Sequence, residues 1–236
     1  MEPALLAWHA EHRADLPWRR RRDPYAVLVS EVMLQQTQVA RVAPRFQAWM
    51  ERWPTIEALA AASLEDVIRA WQGLGYNRRA VNLHRAAQIV AERGWPDDLK
   101  ELPGVGRYTA DALRRFAFGK PVLPMDTNVA RVVERSRGEF GPEAAEALMD
   151  LGREICLARI PRCEVCPLAY GCPSRGRRYE PLRKQSRFEG SFRQRRAETL
   201  RLVAAGRSTG LDAEAVASLE RDGLVEVSAG LARLPQ

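Results

Sequence analysis

Cys156, Cys163, Cys166 and Cys172 are the chain's only cysteines, and all four fall within seventeen residues in the order C-x6-C-x2-C-x5-C. The N-terminus, MEPALLAWHAEHRADLPWRR, has no basic segment followed by an apolar one, so no secretory signal is expected and a disulfide framework is not the natural reading. One short loop supplying four thiolates can wrap a compact cluster, and iron–sulfur clusters take four cysteines in this way. A structural zinc site is the alternative, though zinc usually takes two knuckles set further apart and only one CxxC is present. Unligated cysteines are the third reading.

The chain has 236 residues, enough for one or two domains with a real core. Apolar residues make up 46% and charged residues 28%, the mix of a soluble globular protein. No apolar run approaches the ~20 residues needed to span a bilayer. No membrane partner and a cytoplasmic location are therefore expected. The net charge of +7 is uneven: residues 173–200 hold nine Lys/Arg against three Glu, leaving +1 for everything else. A basic stretch beside a folded body fits nucleic-acid binding; its plainer reading is a solvated tail.

Apolar spacing predicts an almost wholly helical body, with helices over 3–13, 25–36, 38–52, 55–61, 63–73, 77–93, 108–118, 127–136 and 142–158. Ser63, with Asp66 three residues on, is placed to cap one of them. Residues 176–192 read as a basic linker. The segment 193–236 reads as two short helices and a small hairpin, Leu224–Val227 with Leu231–Leu234, a miniature winged-helix unit.

Four motifs carry chemistry. Leu102-Pro103-Gly104-Val105-Gly106 precedes a helix, so backbone N–H groups can point outward together and hold a phosphate without reading sequence. A plain helix–turn–helix connection is the alternative. Asp126, in Leu123-Pro124-Met125-Asp126-Thr127-Asn128, stands just before a helix as either an N-cap or a functional carboxylate. Glu31 lies inside the largely apolar Val29-Ser30-Glu31-Val32-Met33-Leu34-Gln35-Gln36, where a carboxyl is either paired structurally or kept for acid chemistry. Gly73-Leu74-Gly75-Tyr76 reads as a helix C-cap with a packed Tyr, or as an exposed loop with a task. Arg153, Arg159 and Arg162 surround the cysteines, for phosphate contact or for solubility.

Together, LPGVG-R-Y-T-A and the cysteine loop about fifty residues later resemble the helix-hairpin-helix DNA glycosylase superfamily that includes endonuclease III, and SEVMLQQTQV resembles its MutY-type adenine branch. The resemblance covers roughly residues 3–175. It implies an all-α, two-lobed fold: a six-helix domain over 20–127, a cluster domain from 1–19 with 128–175, and a 4Fe–4S cluster on Cys156, Cys163, Cys166 and Cys172. It further implies a monomer that binds double-stranded DNA with a mispaired or damaged base, flips a nucleotide out of the stack, and hydrolyses its N-glycosidic bond. Glu31 would protonate the adenine and activate water, and Asp126 would steady the cationic sugar, with Asn128 supporting its geometry. The DNA-contacting set would be Gln35 and Gln36 at the gap, Tyr76 as a wedge, and Leu102, Gly104, Val105, Gly106 and Arg107 on phosphate. Bifunctional members carry a Schiff-base Lys two residues beyond the second hairpin Gly. Here that residue is Tyr108, which cannot form an imine, so a monofunctional enzyme is expected, with Tyr108 lining the base pocket.

Two departures matter. The large β-rich domain that recognises 8-oxoguanine in many adenine glycosylases does not fit into the remaining sixty or so residues, and Thr127 stands where many relatives have Gly. A mismatch-specific thymine or uracil glycosylase is the first alternative, and a non-catalytic iron–sulfur DNA-binding protein the alternative of another class.

Overall fold

The computed structural model describes residues 1–180 and 187–236. Pro181 to Ser186, within the basic stretch expected as a linker, lie outside the described residues. The expectation of a helical body holds. Two compact units are formed, Met1–Val27 with Gly106–Lys184 and Leu28–Val105 with Gln185–Gln236, so the chain crosses between them within its second helix and within the glycine turn.

In the first unit, α1 (Glu2–His12) packs on α9 (Ala145–Glu154), joined by α7 (Arg107–Phe116) and α8 (Thr127–Ser136). Its core runs from Leu5 through Val129, Val132, Leu148 and Leu151 to Ile155 and Leu168 at the cysteine loop. A fully buried leucine such as Leu5 contributes about 1.5–3 kcal/mol. Asp150, itself buried, anchors the N-terminal segment. It accepts a fork from Arg19 at 2.7 and 2.9 Å, lies 3.2 Å from His9 Nε2, and pairs with Arg153 at 2.9 Å. Arg153 is therefore engaged within the chain.

The second unit holds most of α2 (Pro24–Leu34), then α3 (Val39–Arg52), α4 (Ile56–Ala60), α5 (Leu64–Trp71) and α6 (Arg78–Arg93). Thr55 and Ser63 cap α4 and α5 by accepting from Ala58 N and Asp66 N, the second as the sequence suggests. Trp49 meets Trp53 and Trp71 edge-on at 4.7 and 5.5 Å between ring centroids, a geometry aromatic quadrupoles favour. The C-terminal elements are α10 (Phe192–Ala204), α11 (Ala213–Arg221) and the antiparallel pair β1 (Glu226–Ser228) and β2 (Leu231–Arg233), in the order expected of a winged-helix-like tail. Their apolar side chains, Leu200, Val203, Leu219, Leu224 and Leu234, share one core with Ile68 of α5 and Val81 of α6. Arg195 pairs with Asp212 and Glu214, and Arg196 with Asp222, so these two α10 charges are spent on the α11 segment. No helix among the described residues is long and apolar enough to cross a membrane.

Candidate active site

In the second unit, Glu31 sits on α2 and is only 7% exposed, flanked by buried Val29, Ser30 and Val32. The helix ends three residues later. Gln35 N donates to Glu31 O and Thr37 N to Leu34 O, and Gln36 turns into the left-handed region with φ +55°. Gln36 is exposed. The Gln35 side chain donates to Gly104 O at 3.2 Å, joining the end of α2 to the glycine turn.

That turn follows a single 3-10 turn, Leu99–Glu101. Gly104 has φ +80°, and a Cβ there would stand 3.0 Å from Asn82 Cβ, so both conformation and packing require glycine. Gly106 differs. Its φ is negative and a Cβ would meet nothing within 4 Å, so only Gly104 serves the tight turn. At Gly106 the missing side chain leaves open space at the start of α7, and as its N-cap residue this glycine brings no side-chain acceptor. The side chains of Leu102 and Val105 are buried, and their N–H groups donate to Leu99 O and Leu102 O at 3.2 and 3.0 Å, so these two expected phosphate contacts are spent on the turn itself.

Tyr76 is 46% exposed with φ +46°, so it is not an ordinary packed tyrosine beyond a helix cap. Gly73 and Gly75 before it also have positive φ. A residue missed by sequence reasoning holds this loop to α2. The buried guanidinium of Arg79 donates from Nη1 to the carbonyls of Val32, Met33 and Gln35 at 2.7, 2.9 and 2.7 Å. From Nη2 it donates to Thr37 Oγ1, Leu74 O and Gly75 O at 3.0, 3.3 and 2.9 Å. Burial lowers its pKa to about 10, so it stays charged at neutral pH.

In the first unit, Arg107 is exposed and Tyr108 half-buried in the first turn of α7. Asp126 caps α8: Oδ1 accepts from Val129 N at 2.6 Å, and Oδ2 accepts from Asn128 Nδ2 at 3.2 Å. Asn128 Oδ1 accepts in turn from Arg131 Nη2 at 2.7 Å, and Arg131 also donates to Gly152 O and to Cys156 O, each at 2.7 Å. A Cβ on Gly152 would lie 2.8 Å from Asn128 Cβ, so this glycine permits the close approach of α8 and α9. The Asp126 carboxylate is thus tied, through one amide and one guanidinium, to the first cysteine's backbone. Arg131 escaped sequence reasoning, although its i+3 spacing from Asn128 is a usable signal.

The four cysteines are half-buried and border one small cavity of about 30 Å³, walled also by Ile155, Pro161 and Ala169. Burial pushes the Cys166 thiol up to about 11, and the other three cysteines act in the same direction. Arg135 lies 3.7 Å from Cys156 Sγ, donates to the carbonyls of Leu157 and Ala158, and stacks over the Tyr179 ring at 3.7 Å. Among the described residues no three His, Cys, Asp or Glu side chains converge on a single-ion site. What matches an iron–sulfur cluster here is the donor set, four thiols on one loop, since the cavity itself is about the size of one water. The structure thus joins Gln35 to the turn, the residues on either side of Gln36 to the Tyr76 loop through Arg79, and Asp126 to Asn128 and the cysteine loop. Glu31 and Asp126 belong to different units.

Comparison with known proteins places this geometry. Residues 29–156, more than half of the chain, match the family model described as HhH-GPD superfamily base excision DNA repair protein. The chain is 41% identical to an adenine DNA glycosylase of Mycobacterium tuberculosis over 85% of this chain and 77% of that protein. It is 40% identical to the adenine DNA glycosylase of Homo sapiens over 74% of this chain and 39% of that longer protein. Among solved structures it is similar to a thermostable thymine-DNA glycosylase, with TM-score 0.64 and 28% identity over 72% of this chain and 93% of that one. It is also similar to endonuclease III trapped as a covalent intermediate on DNA, with TM-score 0.61 and 25% identity over 72% and 91%.

Proposed function

This chain belongs to the HhH-GPD superfamily of base excision DNA repair proteins and is a DNA glycosylase, and from that premise we propose that it hydrolyses adenine from a mispair opposite guanine or 8-oxoguanine without cutting the strand. One observation carries the adenine reading: Glu31 is a carboxyl buried within a largely apolar helix, in a chain 41% identical to an adenine DNA glycosylase. A carboxyl held in a fixed place is a group that can hand a proton to a leaving base.

The flipped adenine leaves as a neutral base once Glu31 has given it a proton. The bond from the sugar to the base breaks with its electron pair going to the base, and positive charge builds on the sugar. Asp126, fixed by Val129 N–H and Asn128, supplies the opposing negative charge. Water adds to the sugar and its proton returns to Glu31, leaving an abasic site. Tyr108 stands where a lyase would need an amine, so no covalent imine forms and the strand stays whole. The open space at Gly106, at the N-terminus of α7, suits a DNA phosphate.

Cys156, Cys163, Cys166 and Cys172 would hold a 4Fe–4S cluster. When bound, that group supplies four metal–thiolate bonds that lock the loop to the end of α9. Arg131 and Arg135 hold the backbone of the same loop from α8.

The test is a pair of amide variants. Glu31→Gln and Asp126→Asn should bind mispaired DNA like the parent chain and lose at least about a hundredfold in excision. Full activity in both would overturn the mechanism. A second reading, thymine removal, is favoured by the likeness to the thymine-DNA glycosylase structure and is decided by the choice of target base.

A further inference from the structure

We infer that Arg79 is a positioning residue for base extrusion, one guanidinium that locks Gln36 and Tyr76 in the conformations that fill the gap left by the flipped nucleotide. The inference rests on the reading above, in which a base leaves the stack.

An α-helix leaves its last carbonyls without helical partners. In α2 the carbonyls of Glu31 and Leu34 take N–H groups of Gln35 and Thr37, while those of Val32 and Met33 go to Arg79 Nη1. The same guanidinium takes Gln35 O on one side of Gln36 and Thr37 Oγ1 on the other. Around Tyr76 it takes Leu74 O, Gly75 O and, from Nε at 3.3 Å, Tyr76 O itself. Its hydrogen-bond partners in this cage are carbonyls and one hydroxyl.

What makes the cage more than a staple is what it encloses. Gln36 and Tyr76 are both non-glycine residues at positive φ, +55° and +46°, and both are exposed. Such conformations cost about 1–3 kcal/mol each and persist only where the surroundings over-determine them. Arg79 holds the backbone at or beside each of them. The Gln35 side chain extends the same frame to Gly104 O of the phosphate-facing turn. The backbone behind the side chains offered to the duplex is therefore set by one planar fork. A lysine, with three donors on a single nitrogen, cannot reproduce it.

The test measures extrusion and excision side by side for the full-length parent, Arg79→Lys and Thr37→Val. Extrusion is read as the fluorescence of 2-aminopurine, an adenine analogue, placed at the target position. Excision is read in single turnover on adenine paired opposite guanine and on adenine facing an abasic analogue, where the duplex is already open. The lysine variant should be at least about tenfold slower on the paired substrate, under about threefold slower on the open one, and should lose the fluorescence rise. Thr37→Val, which removes the Arg79 acceptor together with the hydroxyl's own bonds to Gln35 O and Leu74 O and keeps the arginine, should move the same readouts in the same direction by about threefold. If the lysine variant does not fold, the valine variant decides alone. Equal slowing on both substrates with parental fluorescence would make Arg79 a simple strut and overturn the inference. A parent chain that extrudes 2-aminopurine but leaves adenine attached would sink the adenine reading instead, and the variants' fluorescence would still decide the role of Arg79.

Discussion

Arg131→Ala removes the link through which Asp126 is held to the cysteine loop. The arginine donates three bonds of 2.7 Å, to Asn128 Oδ1, Gly152 O and Cys156 O. Hydrogen bonds from a charged donor are worth about 1.5–3 kcal/mol each, and members of one network do not add, so the variant should lose about 3 kcal/mol of unfolding free energy. Asp126 keeps its bond from Val129 N and stays a helix cap. Asn128 loses its anchor, and the carboxylate oxygen it holds at 3.2 Å is freed to rotate. A misplacement of that kind at a reacting group costs about a hundredfold in rate, close to 2.7 kcal/mol of barrier. The assay is single-turnover excision well below the melting temperature, corrected for the folded fraction. Asn128→Ala should show the same rate loss with a smaller stability loss. Arg115→Ala, whose guanidinium reaches the exposed Glu143 at 2.6 Å, should change stability by under about 1 kcal/mol and leave excision within about twofold. A parental rate in the folded fraction of Arg131→Ala would refute the idea that this chain of bonds positions Asp126.

Three further outcomes follow from the structure. Ending the chain after Gly190 strips the cover from Ile68 and Val81, and chemical denaturation should show a loss of roughly 2–4 kcal/mol; an unchanged midpoint would mean the tail core is not shared. Burial, opposed by bonds from its ring to the carbonyls of Ala62 and Ala60, depresses the pKa of His84 from its ordinary value of about 6.5. The unfolded chain then binds the extra proton more readily, so His84 weakens the fold as pH falls below about 6.5 and has no effect above it. Denaturation midpoints at about pH 7.5 and 5.5 should lie closer together in His84→Gln than in the parent. Chain purified without oxygen should carry about four iron and four sulfide, and Cys166→Ala should lose them together with visible absorbance; one zinc per chain would contradict the cluster reading.

Legibility in the sequence tracked how local each cause is. The span of α8, 127–136, could be read because Asp126 caps it and apolar residues recur at helical spacing, both properties of adjacent residues. The burial of Glu31 was readable as a lone charge inside an apolar run. The cysteine loop was readable because all four ligands lie on one short segment. Arg79 and Arg131 were not, because an arginine's burial depends on which distant carbonyls surround it, and its letter is the same on a solvated face. Gly104 and Gly106 look alike in sequence, yet only the first is forced by φ and by Asn82. The tail's helices and hairpin could be seen in its pattern. That its leucines close over Ile68 and Val81 is a tertiary fact, and so is the pairing of the α10 arginines with Asp212 and Asp222 at the two ends of α11.

The most direct measurement is single-turnover excision on duplexes that differ only in the target pair: adenine opposite 8-oxoguanine, adenine opposite guanine, thymine opposite guanine, uracil opposite guanine and hypoxanthine opposite thymine, each analysed with and without alkaline cleavage. Loss of adenine from the first two, with strand breaks appearing only after alkali, is the expected result. Loss of thymine, uracil or hypoxanthine with adenine left in place would contradict it.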